Sequence, residues 1–209
     1  MSIYRDYAEE YFNLGLRPTC ISYLKTKYNI AETNPEKSPC HSWRRWQVRQ
    51  PDLSEIINLP WDYSTGIGTV LGHGSRCVDI DNCNDIHLVK EFLVSLKLPE
   101  NYEWVVKTPN GYHIHVVSGN LPFVTNKELN EGVLALLPND SYKNRFSRIE
   151  LRWANHAVLP PSIINGMCYD FVFNKGSLPR KKPERVYVPS LFSFIAKYCG
   201  NKADHFGRI

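Results

Sequence analysis

Residues 102–117, YEWVVKTPNGYHIHVV, read as two strands folded about a tight turn. YEWVVK (102–107) is rich in aromatic and β-branched residues, and YHIHVV (112–117) alternates in the same way. Between them Thr108-Pro109-Asn110-Gly111 carries the Asn-Gly signal of a hairpin. The rest of the chain takes its place around this hairpin. Upstream, GIGTVL (66–71) and RCVDID (76–81) read as strands, and 85–97 as a helix with Leu88, Val89, Phe92, Leu93 and Leu96 on one face. Downstream, a helix at about 126–137 precedes three strands, FSRIELRW (146–153), AVLPPSI (157–163) and MCYDFVF (167–173). Strand-helix-strand-strand-helix-strand predicts an α+β fold with a mainly antiparallel, RRM-like or ferredoxin-like sheet.

The flanks are less regular. Residues 4–15 predict a helix, and 31–52 a loop-rich stretch with three prolines and the run Trp43-Arg44-Arg45-Trp46. Arg44, Arg45 and Trp46 would clamp and stack nucleic acid, or would anchor a loop over the core; both readings stand. The expected organisation is one unit over 1–175, built of an N-terminal α/β extension (1–75) packed on the core (76–175). A basic linker and helix follow over 176–209, with the helix at about 190–199.

Composition sets the class. The 209 residues suffice for one good core, and 43% hydrophobic with 22% charged residues is globular rather than disordered or fibrous. No apolar run approaches the roughly 20 residues that span a bilayer. The opening MSIYRDYAEEYF lacks the basic and apolar regions of a signal peptide. A soluble, cytoplasmic protein with no membrane partner is expected. The net charge of +4 permits nucleic acid without requiring it. The excess concentrates in 175–185, where Lys175, Arg180, Lys181, Lys182 and Arg185 oppose Glu184; a solvated linker is the first reading. The six cysteines contain no CxxC, so a zinc ribbon and a disulfide framework are not expected, and small core residues are. Cys40 with His41 is a minor zinc alternative.

Asp79 and Asp81 lie two apart on an apolar strand and so project from one face. Such carboxylates repel unless a cation lies between them, and oxygen ligands suit Mg²⁺ or Mn²⁺. Arg148, Glu150 and Arg152 share a face in the same way, as metal and polyphosphate ligands or as a salt-bridge ladder. His113 and His115 also share a face, and would bind metal, contact phosphate or serve the structure; the readings stand together.

In order along the chain, the DID strand, the TPNGYH turn and strand, the IELR strand, Leu159-Pro160-Pro161-Ser162, Gly166 and Tyr169 resemble the Prim-Pol domain of the archaeo-eukaryotic primase superfamily. Leu14-Gly15, Lys37-Ser38-Pro39, Trp43 and Gly66-Ile67-Gly68 match its N-terminal pattern, so the resemblance covers roughly 5–173. It departs where Tyr112 replaces a second glycine and where Ala154-Asn155-His156 replaces a glycine-rich stretch. The resemblance implies a DNA-templated primase or polymerase of a mobile element, plasmid or phage, acting on NTPs or dNTPs along a single-stranded DNA template. A helicase or other replication domain is a further partner it suggests. By the same resemblance Asp79, Asp81 and Glu150 would be catalytic and hold Mg²⁺ or Mn²⁺. His113, Asn110, Gly111 and Arg152 would meet the nucleotide, and His115 would join Arg44, Arg45 and Trp46 toward nucleic acid.

Two rivals belong to other classes. His113-Ile114-His115 also looks like the histidine pair of HUH replication nucleases, with Tyr198 as nucleophile and Lys202 beside it. A non-catalytic RRM-like module would bind nucleic acid through sheet aromatics.

Overall fold

The computed structural model describes residues 2–21, 35–119, 128 and 131–200. Alternation decides the centre of the fold. Along the strand Ser75–Asp81 (β3), Val78 and Ile80 are buried while Asp79 and Asp81 are half-buried. β3 pairs on one side with Gly111–Val117 (β5) and on the other with Arg148–Arg152 (β7). Val105–Thr108 (β4) and Asp170–Phe171 (β11) extend the sheet beyond β5, and Val133–Leu136 (β6) extends it beyond β7. The six-stranded order is β11-β4-β5-β3-β7-β6, with every named pair antiparallel. The mixed α+β class with mainly antiparallel sheets agrees with the sequence pattern.

The apolar face of this sheet shares its core with two helices. Ile86–Ser95 (α3) contributes Leu88, Val89, Phe92 and Leu93. The N-cap of α3 is Asp85, whose carboxylate accepts from His87 and Leu88 N–H at 2.9 and 3.1 Å. Val188–Tyr198 (α4) lays Phe194 and Tyr198 edge-on to Phe92, with ring centres 5.0 and 4.5 Å away.

A second sheet joins Pro18–Ile21 (β1), Gly66–Val70 (β2) and His156–Leu159 (β8), in the order β1-β2-β8. Its third strand thus comes from the core half of the chain. Ile3–Asn13 (α1) packs on β1 and β2, and Leu53–Ile57 (α2) packs on α1. Leu159-Pro160-Pro161-Ser162 ends β8 with a cis peptide between the two prolines. Ser162 Oγ accepts from Ile67 N–H at 2.8 Å and donates to Ile67 C=O at 2.9 Å. A Cβ on Gly66 would lie 2.8 Å from that hydroxyl, which is why β2 carries glycine there. Ile163–Ile164 (β9) and Met167–Cys168 (β10) form a small separate hairpin.

Four expectations are corrected. The helix expected at about 126–137 ends differently: Val133–Leu136 is β6, where Leu134 and Leu136 bury on the period of a strand. Residues 126, 127, 129 and 130 lie outside the described residues. The β4–β5 turn does not use its Asn-Gly pair. Thr108 pairs with Gly111, so Pro109-Asn110 form the two-residue loop, and neither Asn110 nor Gly111 takes left-handed backbone. Gly111 is required instead by approach, since a Cβ there would fall 1.8 Å from Ile80 C=O. The segment before α4 exposes its basic side chains, as expected of a solvated stretch, but its backbone is tied to the core. Trp104 Nε1 donates to Lys181 C=O, Val117 N–H donates to Glu184 C=O, Val186 N–H donates to Val117 C=O, and Arg180 pairs with Glu103 at 2.9 Å. Finally, Cys20 and Cys40 form a disulfide. Cys40 N–H donates to Cys20 C=O and their Cα atoms stand 6.2 Å apart, within disulfide reach. Cys40 is therefore no zinc ligand beside His41, whose Nε2 meets Thr19 Oγ1 at 2.7 Å. Cys77, Cys83 and Cys199 are free and buried, as core cysteines were expected to be, while Cys168 is free and exposed. Among the described residues no helix is long and apolar enough to cross a membrane.

Candidate functional site

The register of β7, β3 and β5 aligns the polar residues in rows. Asp79 is the Cα partner of Glu150 on one side and of His113 on the other. The row before it holds Arg152, Cys77 and His115, and the row after it Arg148, Asp81 and Gly111. Period-two side-chain direction puts all of them on one face, opposite Val78, Ile80 and Ile114. The three same-face pairs read from the sequence are thereby one continuous patch.

A cleft of about 350 Å³ opens over this patch. Asp79, Asp81, His113 and Arg152 form its floor; Ala157 and Val158 of β8, with Lys37 and Ser38, form the facing wall; and Thr108, Pro109 and Asn110 form its rim. Lys37 is fixed from the far side by its carbonyl, 2.7 Å from His156 Nε2.

The charges are interlocked. Arg148 lies 2.7 Å from Asp81 and 3.1 Å from Glu150. Arg152 lies 3.3 Å from Asp79 and 4.0 Å from Glu150, and His113 Nε2 lies 3.5 Å from Asp79. The salt-bridge ladder weighed for Glu150 is thus present. It does not compensate the acids fully. Burial, with repulsion from Asp81 and against the pull of Arg152, lifts the Asp79 carboxyl to about 6, and burial raises Glu150 as well. Three carboxylates share this face, and hard oxygen ligands are the type that suits Mg²⁺ or Mn²⁺; the group whose ligand atoms lie within 4.8 Å of one another is Cys77, His113 and His115.

The histidines are held neutral. Burial, reinforced by Arg152, lowers His113 to about 3; burial, reinforced by His113, lowers His115 to about 3. His113 approaches the Val158 backbone, but its Nδ1 has no partner in hydrogen-bond geometry. Tyr169 lines the cleft, its hydroxyl pushed by burial to about 12.

Asp79, Asp81, Glu150, His113, Arg152 and Asn110 therefore come together, while Gly111 serves the packing of β5 on β3. The residues expected toward nucleic acid do not join them. Trp46 is fully buried with its ring 4.8 Å from His41, and His115 is 1% exposed, so neither offers a surface to a base. Arg45 is tied to Glu55 at 2.9 Å and Arg44 lies over the Trp43 ring. Of that group the tryptophan-anchored loop is the reading the structure matches. Tyr198 is buried between α3 and α4, its hydroxyl donating to Glu91 C=O at 3.2 Å and 2.9 Å from Ser95 Oγ, away from His113 and His115. Lys202 lies outside the described residues.

Sequence reasoning missed Cys77 as a member of the site, although it shares the strand parity of Asp79. Spacing already places Arg148 on the face of Glu150. Lys37 enters only through the resemblance, and reaches the cleft from the 3-10 turn Pro35–Lys37. No protein-family model matches the chain, and no curated protein matches it.

Proposed function

We propose that the chain is a DNA-templated nucleotidyltransferase of the primase-polymerase kind. The observation that carries this reading is the row Glu150–Asp79–His113 across three adjacent strands, of which Asp79 and His113, with Asp81 and Arg152, line a cleft that Lys37 faces. Strand order supports it too. Numbered along the chain, β3, β4, β5 and β7 stand second-third-first-fourth in the sheet, the order of a ferredoxin-like or RRM-like core.

Asp79, Asp81 and Glu150 would hold the divalent cation. When bound, such an ion supplies Lewis-acid polarisation at the α-phosphate and a lower pKa for the attacking 3′-hydroxyl. Asp79 and Glu150, short of compensating charge, take up positive charge readily. Arg148 and Arg152, which neutralise the acids in their absence, are then released toward phosphate. His113, neutral and buried, offers a hydrogen bond to the triphosphate without adding charge. Lys37 stands across the cleft to balance the triphosphate, and Asn110 marks the open rim along which a template would lie.

The test is incorporation of labelled NTPs or dNTPs on single-stranded DNA with Mg²⁺ or Mn²⁺, with and without primer, beside Asp79→Ala and Asp81→Ala. Synthesis that both variants abolish supports the reading. No synthesis with either metal, together with template binding that survives Asp79→Ala, replaces it with a binding module.

A further inference from the structure

Beside the carboxylate row lies a second cluster, of which the nucleotidyl-transfer reading uses only His113. Cys77 and His115 are Cα partners across β3 and β5, and His113 lies two residues before His115 on the same face. One ligand atom from each residue lies within 4.8 Å of the other two. All three are buried: Cys77 at 0%, His115 at 1% and His113 at 7% exposure. Cys77 packs with Leu71 and Ala157, between the two sheets.

The hydrogen bonding is anomalous. Both ring nitrogens of His115 and Nδ1 of His113 are buried without a partner. A buried polar atom left unpaired is destabilising, and neutral imidazole has both a donor and an acceptor to satisfy. Three such atoms beside one thiol require a reason.

We propose that Cys77, His113 and His115 form a site for one borderline-soft divalent transition-metal ion, Zn²⁺ foremost. Thiolate and imidazole select such ions, whereas the adjoining oxygen ligands select Mg²⁺ or Mn²⁺, so two neighbouring sites would take different metals. On binding, the Cys77 sulfur exchanges its proton for the metal, and the proton passes to the buffer. A fourth ligand would be water from the cleft that His113 also lines. Arg152, the other cation nearby, is held by Asp79 and Glu150. The site would staple β3 to β5 two residue pairs ahead of Asp79 and so fix the floor of the cleft. It does not rest on the polymerase reading.

The full chain, stripped with chelator, is titrated with Co²⁺ and then Zn²⁺ in a Cys168→Ser background that removes the exposed thiol. One equivalent of Co²⁺ with a thiolate-to-cobalt charge-transfer band, displaced by Zn²⁺, is expected. The band should vanish in Cys77→Ser and in His115→Gln, and should persist in Asp81→Asn, which separates this site from the carboxylates. X-ray absorption of the Zn²⁺ form should show one sulfur and two imidazole nitrogens, a readout that needs no variant to fold. Less than a stoichiometric equivalent of metal, a band that survives Cys77→Ser, or a shell with no sulfur or more than one overturns the assignment.

Discussion

Asp79 and Glu150 face one another as Cα partners across β3 and β7, and both carboxyls are pushed above their ordinary pKa, Asp79 to about 6. Arg148 and Arg152 reach these acids from the same strand as Glu150, so the site alternates acid and base along one edge of a row. Each guanidinium stands where a metal ion would compete for the same oxygens.

Arg148→Gln should therefore tighten Mn²⁺ binding. Arg148 holds both Asp81 and Glu150 but is half-exposed, and exposed pairs contribute at most about 1 kcal/mol, so the gain is about fivefold or less. Isothermal titration of Mn²⁺ into both proteins checks it. Weaker binding in the variant would show that Arg148 orients the acids instead of competing for them.

His113→Ala should weaken nucleotide binding by about tenfold, the loss of one hydrogen bond to a charged group. The readout is the apparent affinity for the triphosphate measured in Ca²⁺, so that turnover does not intrude. An unchanged affinity removes His113 from the nucleotide site.

Gly111→Ala tests the reading of the β4–β5 turn. Its new Cβ would collide with Ile80 C=O, which belongs to the central strand and has no room to retreat. Destabilisation of about 3 kcal/mol is expected, measured as a lowered urea midpoint. Asn110→Ala, at a position with ordinary backbone, should cost far less.

Acid should destabilise the fold through His41. Burial depresses its folded pKa from 6.5 to about 4 while Thr19 holds Nε2 at 2.7 Å. A depressed folded pKa means that the unfolded chain takes the proton first. The contribution is complete above pH 6.5 and is lost as pH falls toward 4, by about 3 kcal/mol at most. His41→Gln should flatten this part of the pH dependence of stability. An identical pH profile would mean that His41 has the same pKa in the folded and the unfolded chain.

The strands and their faces were legible because alternation is local. Asp79 with Asp81, Arg148 with Glu150 and Arg152, and His113 with His115 could each be placed on one face from spacing alone. What spacing does not carry is register. That Glu150, Asp79 and His113 fall in one row depends on how three strands align, which is decided by long-range packing. The misses have similar causes. VLAL at 133–136 is too short to separate a strand period from a helical one. The basic run of 175–185 looked solvated because its attachments are through backbone groups such as Lys181 C=O, which composition does not reveal. The Cys20–Cys40 bridge depends on a loop folding back on β1, a contact across 20 residues of chain.

The passage from β7 to β8 has a mechanical consequence. Only residues 153–155 separate Arg152, on the floor, from His156, at the start of the opposing wall. The four Cα–Cα steps from Arg152 to His156 reach about 14 Å at full stretch. The two sides of the cleft are therefore jaws of a single calliper, cut from one continuous run of backbone, and its gape is preset by that short span. Discrimination between ligands would fall to the fixed width at this end, and Lys37 and Ser38 share the β8 wall, where the Lys37 carbonyl meets His156 Nε2.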